Sequence, residues 1–264
     1  MAINVNTVYR TVLAILNKEQ RGYMTPNEFN RTATQVQLEI FEKYFEDLNQ
    51  QLRFSNRQTD VDYANRPENI DEKLAIFKTS GVCSYEVNGG FYIIPTVDTY
   101  GNSVTFYRLG TVVYNDPYGV STEVQRLDRN DFYYTENSPL TRSTTSFPTY
   151  LYEARDNQGT SLIYVNPSTI NCPSCISVDF LRKPFDVRWG YTLGAQGQYL
   201  YDGSNYVPNV SPGTEGSTQI ELHVSEQTEM IIKILMYAGV IIRDPEIVQA
   251  ASQQAMLQDQ NAKT

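Results

Sequence analysis

This sequence is short of nearly everything that carries covalent or metal chemistry. It has one histidine, His223, one tryptophan, Trp189, and three cysteines, Cys83, Cys172 and Cys175, in 264 residues. A lone histidine leaves little for a Ser-His-Asp or Cys-His arrangement, and no nucleophile motif stands near it. Three cysteines do not make a disulfide framework and fit a chain folded in a reducing cytoplasm. A phosphate-cradling loop is missing as well: Asn88-Gly89-Gly90 is not followed by Lys-Ser/Thr or by a helix. The longest apolar run, 231–242, is interrupted by Lys233 and Gly239 and falls short of the ~20 residues of a membrane span. Met1-Ala2-Ile3-Asn4 shows no basic stretch ahead of an apolar one, so no secretory signal is expected. The sequons at Asn30 and Asn209 carry no weight without one. Positive charge is scarce: Lys and Arg number 21 against 30 Asp and Glu, a formal net charge of -9. That balance excludes a broad grip on nucleic-acid phosphates, which needs clustered cations. It suits an acidic wall past which a duplex slides.

What is present reads as a globular protein, with 41% hydrophobic and 19% charged residues. Twenty tyrosines add rings with polar tips, which suit strands and interfaces alike. The spacing of Val5, Val8, Val12, Ile15 and Leu16 predicts a first helix over 6–17, closed near Gly22. A second helix starts at a capping box, Thr25 with Glu28 around Pro26. It runs to Leu52 on the stripe Phe29, Ala33, Val36, Ile40, Tyr44 and Leu48, with Gln35 and Gln37 assigned to the other faces. That stripe, widened by Phe41 and Phe45, is broad enough to serve a neighbouring subunit as well as the core. A short helix is expected over 70–77.

From Val82 to Leu181 the pattern changes to short β-rich segments between Gly, Pro, Asn and Asp. Strands are expected over 83–87, 91–94, 105–109, 123–126, 150–154, 162–165 and 176–181, with turns at 88–90 and 156–159 and a helical turn over 128–134. Residues 190–216, rich in Gly, Tyr, Ser and Asn, read as an extended arm, with 198–204 as half of a hairpin. Ser225 is expected to cap a helix from Glu226 to Ala238, ended by Gly239, and Asp244-Pro245-Glu246 to open a last one. The fold class is therefore α+β: N- and C-terminal helices packed together, a central antiparallel β-rich region and a long extended arm or loop. The segments are 1–80 (helical hairpin and linker), 81–189 (β-rich core), 190–219 (arm) and 220–264 (C-terminal helices).

Cys172-Pro173-Ser174-Cys175 is a CxxC pattern, open to redox chemistry or to half of a zinc site. Cys83 and His223 complete four ligands only arithmetically. A redox pair opens a helix, whereas 176–181 reads as a strand, so the bland reading is a turn with two incidental thiols. Asp128 with Asp131, and Glu226 with Glu229, are carboxylate pairs of the kind glycan hydrolases use. Thirty acidic residues supply such pairs by chance, and capping or solvation accounts for them. His223 reads as structural. The stretch Arg182–Tyr191, with Trp189 near its end, is open to three readings: a strand end closed by Lys183-Pro184 and followed by a turn anchored by Trp189, a stacking platform for bases or sugars, and an interface anchor.

Three groups of residues carry a resemblance. The first is Val8-Tyr9, then Leu16 through Pro26, Phe29-Asn30 and Gln35-Val36-Gln37. The second is Tyr164-Val165-Asn166-Pro167, Ile170, Phe180 through Pro184 and Trp189-Gly190-Tyr191. The third is Thr228-Glu229, Ile234-Leu235 and Ala238 through Pro245. Together they resemble structural proteins of crAss-like and related short-tailed bacteriophages, similar to head-to-tail connector or ring proteins. The resemblance covers both ends and the latter half, and is weak over 86–148. It implies a virion component assembled in the bacterial cytoplasm: a closed, commonly twelvefold homo-oligomeric ring below a portal protein, in contact with other ring and tail proteins and close to double-stranded DNA. It brings no catalytic residue, cofactor, metal or membrane partner.

The expectation is thus a non-enzymatic connector. Candidate interface residues are Met230, Ile232, Met236 and Tyr237 on the C-terminal helix, with Trp189, Tyr199, Tyr201 and Tyr206 at the arm. The alternatives are a tail accessory protein that binds host surface glycan, and a tail-associated muramidase.

Overall fold

The computed structural model describes residues 2–18, 23–53, 66–99, 101–154, 161–205 and 216–241, together with positions 253 and 256. The fold is α+β. The chain divides into two units: Met1–Ile76 with Pro184–Thr264, and Phe77–Lys183 inserted between them.

The first unit is built on helices. Asn4 caps α1 (Val5–Lys18), its Oδ1 accepting from the amides of Asn6 (2.9 Å) and Thr7 (3.1 Å). Val5, Val8, Tyr9, Val12 and Leu16 form the buried face. The capping box of α2 (Pro26–Arg53) is present in full. Glu28 Oε2 accepts from the amide and hydroxyl of Thr25, both at 2.8 Å, and Thr25 Oγ1 accepts from the amide of Glu28 at 3.3 Å. Helix α3 (Arg66–Ala75) begins earlier than expected and packs on α2.

The last described helix, α5 (Gln227–Ile241), packs against both α1 and α2 and follows a 3-10 turn at Val224–Glu226. Two expectations about it are corrected. Ser225 lies inside the 3-10 turn, and that turn is capped by His223, whose Nδ1 accepts from the Ser225 amide at 3.3 Å. Gly239 lies inside the helix rather than ending it. A glycine costs a helix interior about 1 kcal/mol, which the apolar packing of α5 outweighs. Of the expected final helix only Gln253 and Met256 are described, and both are helical.

The second unit holds two sheets. Strands β1 (Lys78–Val82), β9 (Ile176–Arg182), β4 (Phe106–Asn115) and β5 (Ser121–Glu123) form one, in the order β1-β9-β4-β5. The other, in the order β2-β3-β8-β7-β6, contains β2 (Ser84–Glu86), β3 (Phe91–Ile93), β6 (Gln125–Arg126), β7 (Thr149–Ala154) and β8 (Ser161–Asn166). Every pairing is antiparallel except β6 with β7, so the region is mixed rather than wholly antiparallel. Helix α4 (Arg129–Glu136) packs on β7. Val112, Tyr114, Ile176, Val178 and Phe180 of the first sheet share one core with Tyr92, Tyr150, Ile163 and Val165 of the second. In β9 the alternation is period two, with Ile176, Val178 and Phe180 buried.

Two strand expectations change. The run 123–126 is not one strand: the chain passes from the first sheet to the second at buried Val124, as it does at buried Cys83 between β1 and β2. The strand expected to end at Leu109 runs on to Asn115 through a bulge. There a Cβ on Gly110 would fall 2.8 Å from the Asp179 carbonyl oxygen. The turn at 88–90 closes the β2–β3 hairpin, with Gly90 at φ +65. The hairpin expected over 156–159 lies outside the described residues.

Among the described residues no helix is long and apolar enough to cross a membrane.

Candidate subunit interface

The densest set of contacts around the predicted site residues lies along one face of α2. Asn30, Thr34 and Gln37 stand four and three residues apart, on one side of the helix. Opposite them runs an extended segment, 185–189. Asn30 Oδ1 accepts from the Trp189 amide at 2.7 Å, and its Nδ2 donates to the Trp189 carbonyl at 3.4 Å. Thr34 Oγ1 accepts from the Val187 amide at 3.0 Å and donates to its carbonyl at 3.5 Å. Gln37 Nε2 donates to the Phe185 carbonyl at 2.7 Å, while its Oε1 accepts from the Glu221 amide at 2.9 Å. A helix rises about 1.5 Å per residue and a strand about 3.3 Å, so steps of three or four on α2 match steps of two on the segment. The three side chains do the work of a neighbouring strand. Gln37, expected on a solvated face, is 1% exposed and bonded at both ends of its amide.

Trp189 closes this ladder. Its ring contacts Tyr9, Tyr191 and Tyr201, with centroids at 4.5, 6.0 and 5.6 Å, and its Nε1 donates to Asn6 Oδ1 at 3.2 Å. It is 5% exposed, so it is a core residue and neither a stacking platform nor an outward anchor. Met230 and Ile232 are likewise buried within their own unit, as a helix apolar nearly all round and packed between other elements requires. That helix, α5, packs against α1 and α2. Met236 and Tyr237 are half-buried. The Tyr237 hydroxyl donates to Glu39 Oε1, which, with some burial, pushes it up to about 12.

Within the expected arm, the half-hairpin read over 198–204 finds its partner strand. Tyr191–Leu193 (β10) and Tyr199–Tyr201 (β11) form a hairpin, pairing Tyr191 with Tyr201 and Leu193 with Tyr199. By strand alternation these four share one face. Tyr191 and Tyr201 meet Trp189, and Tyr199 meets Tyr191 edge-on at 4.8 Å. Leu193 overhangs, 68% exposed, and Leu200 on the other face is exposed too. Tyr206 lies outside the described residues.

Of the carboxylates weighed for acid–base work, Glu226 and Glu229 are held in ion pairs, and Asp128 and Asp131 lie exposed at the start of α4. Glu229 pairs with Lys43 at 3.1 Å and with Lys233 at 3.6 Å, and Glu226, buried, pairs with Lys73. Asp128 precedes α4 and Asp131 sits in its first turn, where negative charge suits the helix dipole. Among the described residues no group of His, Cys, Asp and Glu is placed to hold a metal ion. His223 caps a helix in one unit, whereas the cysteines lie in the other. An open cleft of about 400 Å³ in the second unit is lined by Gly110, Thr111, Glu123, Arg126, Phe147 and Tyr150.

Two features escaped the sequence reading. Cys172 and Cys175 are joined by a disulfide, which corrects the expectation of two incidental thiols. The turn between them brings their Cα atoms to 5.6 Å, within the span of such a bond. The second feature is a set of exposed apolar side chains along the chain on and after α4. Leu140 is 95% and Phe147 80% exposed, alongside Tyr133 and Tyr134. The segment that carries them is fastened: Glu136 accepts from Arg142 Nε (3.2 Å) and the Ser143 amide (3.3 Å), and Thr141 Oγ1 donates to the Thr135 carbonyl at 3.1 Å. The alternation of Leu140 and Phe147 with polar neighbours gave no periodic signal to find them by.

The fold and these surfaces define an α+β protein with an inserted two-sheet unit and ordered apolar surface in both units. No protein-family description matches the chain, and no curated protein is significantly similar to it.

Proposed function

We propose that this chain is a non-enzymatic virion structural protein that closes into a homo-oligomeric ring as a head-to-tail connector below a portal protein. The observation that carries this reading is apolar surface left open on ordered backbone. Leu193 and Leu200 stand on a hairpin anchored by Trp189, and Tyr133, Tyr134, Leu140 and Phe147 stand on and after α4. Fully burying one such side chain is favourable by about 1.5–3 kcal/mol, and isolated subunits leave that unrealised. A head-to-tail contact needs two different patches on each copy, and exposed apolar side chains stand in both units. The acidic balance, -9, supports a channel wall that DNA passes without sticking. The resemblance of the opening, the 164–191 stretch and the C-terminal helix to crAss-like phage ring proteins supplies the ring, its commonly twelvefold order and the portal as neighbour.

The test is the double variant Leu193→Asp/Leu200→Asp, compared with the parent by sedimentation velocity and circular dichroism. The parent is expected to sediment as a large closed oligomer, and the variant as a folded monomer or small species. A parent that stays monomeric, and is missing from assembled particles, overturns the reading.

A further inference from the structure

We propose that Cys172 and Cys175 form a reversible thiol–disulfide site, opened and closed by low-molecular-weight thiols that attack at Cys172. The inference concerns the inserted unit alone and does not rest on the connector reading. The two sulfurs differ in access. Cys172 is half-buried, and Pro173 and Ser174 beside it are exposed, whereas Cys175 belongs to the buried core. An external thiolate therefore reaches the Cys172 sulfur first. Its attack forms a bond to Cys172 Sγ and breaks the bond between the two cysteines. Cys175 departs as thiolate and then takes a proton. A second external thiol attacks the mixed disulfide at its external sulfur. It releases Cys172 and leaves with its partner as a small disulfide, so two thiols are oxidised as the protein bond is reduced.

The Tyr92 hydroxyl is placed to assist the departing sulfur. It lies 3.4 Å from Cys175 Sγ, and 3.2 Å from the carbonyl oxygens of both Ile170 and Cys172. Its proton has carbonyl acceptors while the bond is closed and a thiolate to turn to when it opens. The third cysteine does not compete. Cys83 is buried in the same core, and burial pushes its thiol up to about 12, so it supplies almost no thiolate at neutral pH.

The turn stands at the entry to the strand that holds the first sheet together. The Cys175 carbonyl accepts from the Asn115 amide at 2.7 Å, and the Ile176 carbonyl from the Cys83 amide at 2.9 Å. Closing the bond removes freedom from the unfolded chain around that entry, and the oxidised protein is expected to melt a few degrees higher.

The experiment equilibrates the full chain across a series of reduced-to-oxidised glutathione ratios. Each sample is quenched with acid, unfolded, treated with iodoacetamide and weighed by mass spectrometry. The site predicts one alkylated cysteine at the oxidising end and three at the reducing end, in a single two-electron step. Cys172→Ser removes the step, and Cys83→Ala keeps it with counts of none and two. Tyr92→Phe leaves both end counts unchanged while opening by dithiothreitol slows roughly threefold to tenfold, the worth of one hydrogen bond. A count that stays at three or at one across the series overturns the proposal, as does loss of the step in Cys83→Ala. An opening rate unchanged in Tyr92→Phe removes the role given to that hydroxyl.

Discussion

In the inserted unit the backbone of β9 finds partners in β1 on one side and β4 on the other. In the helical unit Phe185, Val187 and Trp189 find theirs in the side chains of a single helix, while Arg188 on the other side pairs with Thr218 through the main chain. Both arrangements satisfy buried amides and carbonyls, which any fold must do. The difference lies in what holds the partner in place. A strand ladder survives most changes of side chain, because the bonds belong to the main chain. The ladder on α2 exists only while Asn30, Thr34 and Gln37 keep their chemistry.

The contrast breaks hardest at Gln37. Gln37→Leu keeps the volume but removes both hydrogen bonds of a buried amide, to the Phe185 carbonyl and from the Glu221 amide. Denaturant unfolding should show a loss of about 2–5 kcal/mol, for two hydrogen bonds broken at once. Val178→Ala in β9 removes apolar contact and no backbone bond, and is expected to cost less, about 1–3 kcal/mol. If the two losses came out in the reverse order, the distinction between the ladders would fail.

A smaller effect sharpens the same point at the start of α2. Thr25→Ala removes the hydroxyl's half of the capping box and keeps the amide's, with an expected loss of about 1 kcal/mol. Hydrogen bonds from Thr25 hold the Glu28 carboxyl below its ordinary value of 4.5. A carboxyl depressed in the folded state adds stability that is complete above the unfolded value and disappears as pH falls through the folded one. The parent should therefore lose stability more steeply than Thr25→Ala as pH is lowered from 4.5, in urea titrations at stepped pH. Smallest is Tyr44→Phe. The Tyr44 hydroxyl is buried with no hydrogen-bond partner among the described residues, and burial holds its proton firmly. Its removal should leave stability within about 0.5 kcal/mol of the parent or raise it, because no partner is left unpaired.

The helical unit was legible where burial follows period. The stripes of α1 and α2 and the Thr25–Glu28 box could be read directly, because spacing and capping chemistry are local. Gln37 could not: its polarity argues for solvent, and only the chain brought against it from 148 residues away makes burial favourable. Trp189 was open between a turn anchor and an exposed platform, and Met230 between the core face of its helix and a subunit contact. Tyr9, Tyr191 and Tyr201 cover the first, and the helix of the second packs against α1 and α2. In the inserted unit the alternation in β9 was visible. Strand β1, Lys-Thr-Ser-Gly-Val, carries almost no pattern and is a strand because β9 pairs with it. The exposed side chains on and after α4 carry no period at all.

The account stands or falls on whether copies of this chain associate about a closed axis. Cryo-electron microscopy of the purified full chain at high concentration tests this most directly. Class averages are expected to show closed rings of a single symmetry, with the next copy covering the hairpin face of Leu193 or the face of Leu200 at each subunit contact. A field of lone subunits, in a protein also missing from intact particles, would contradict it.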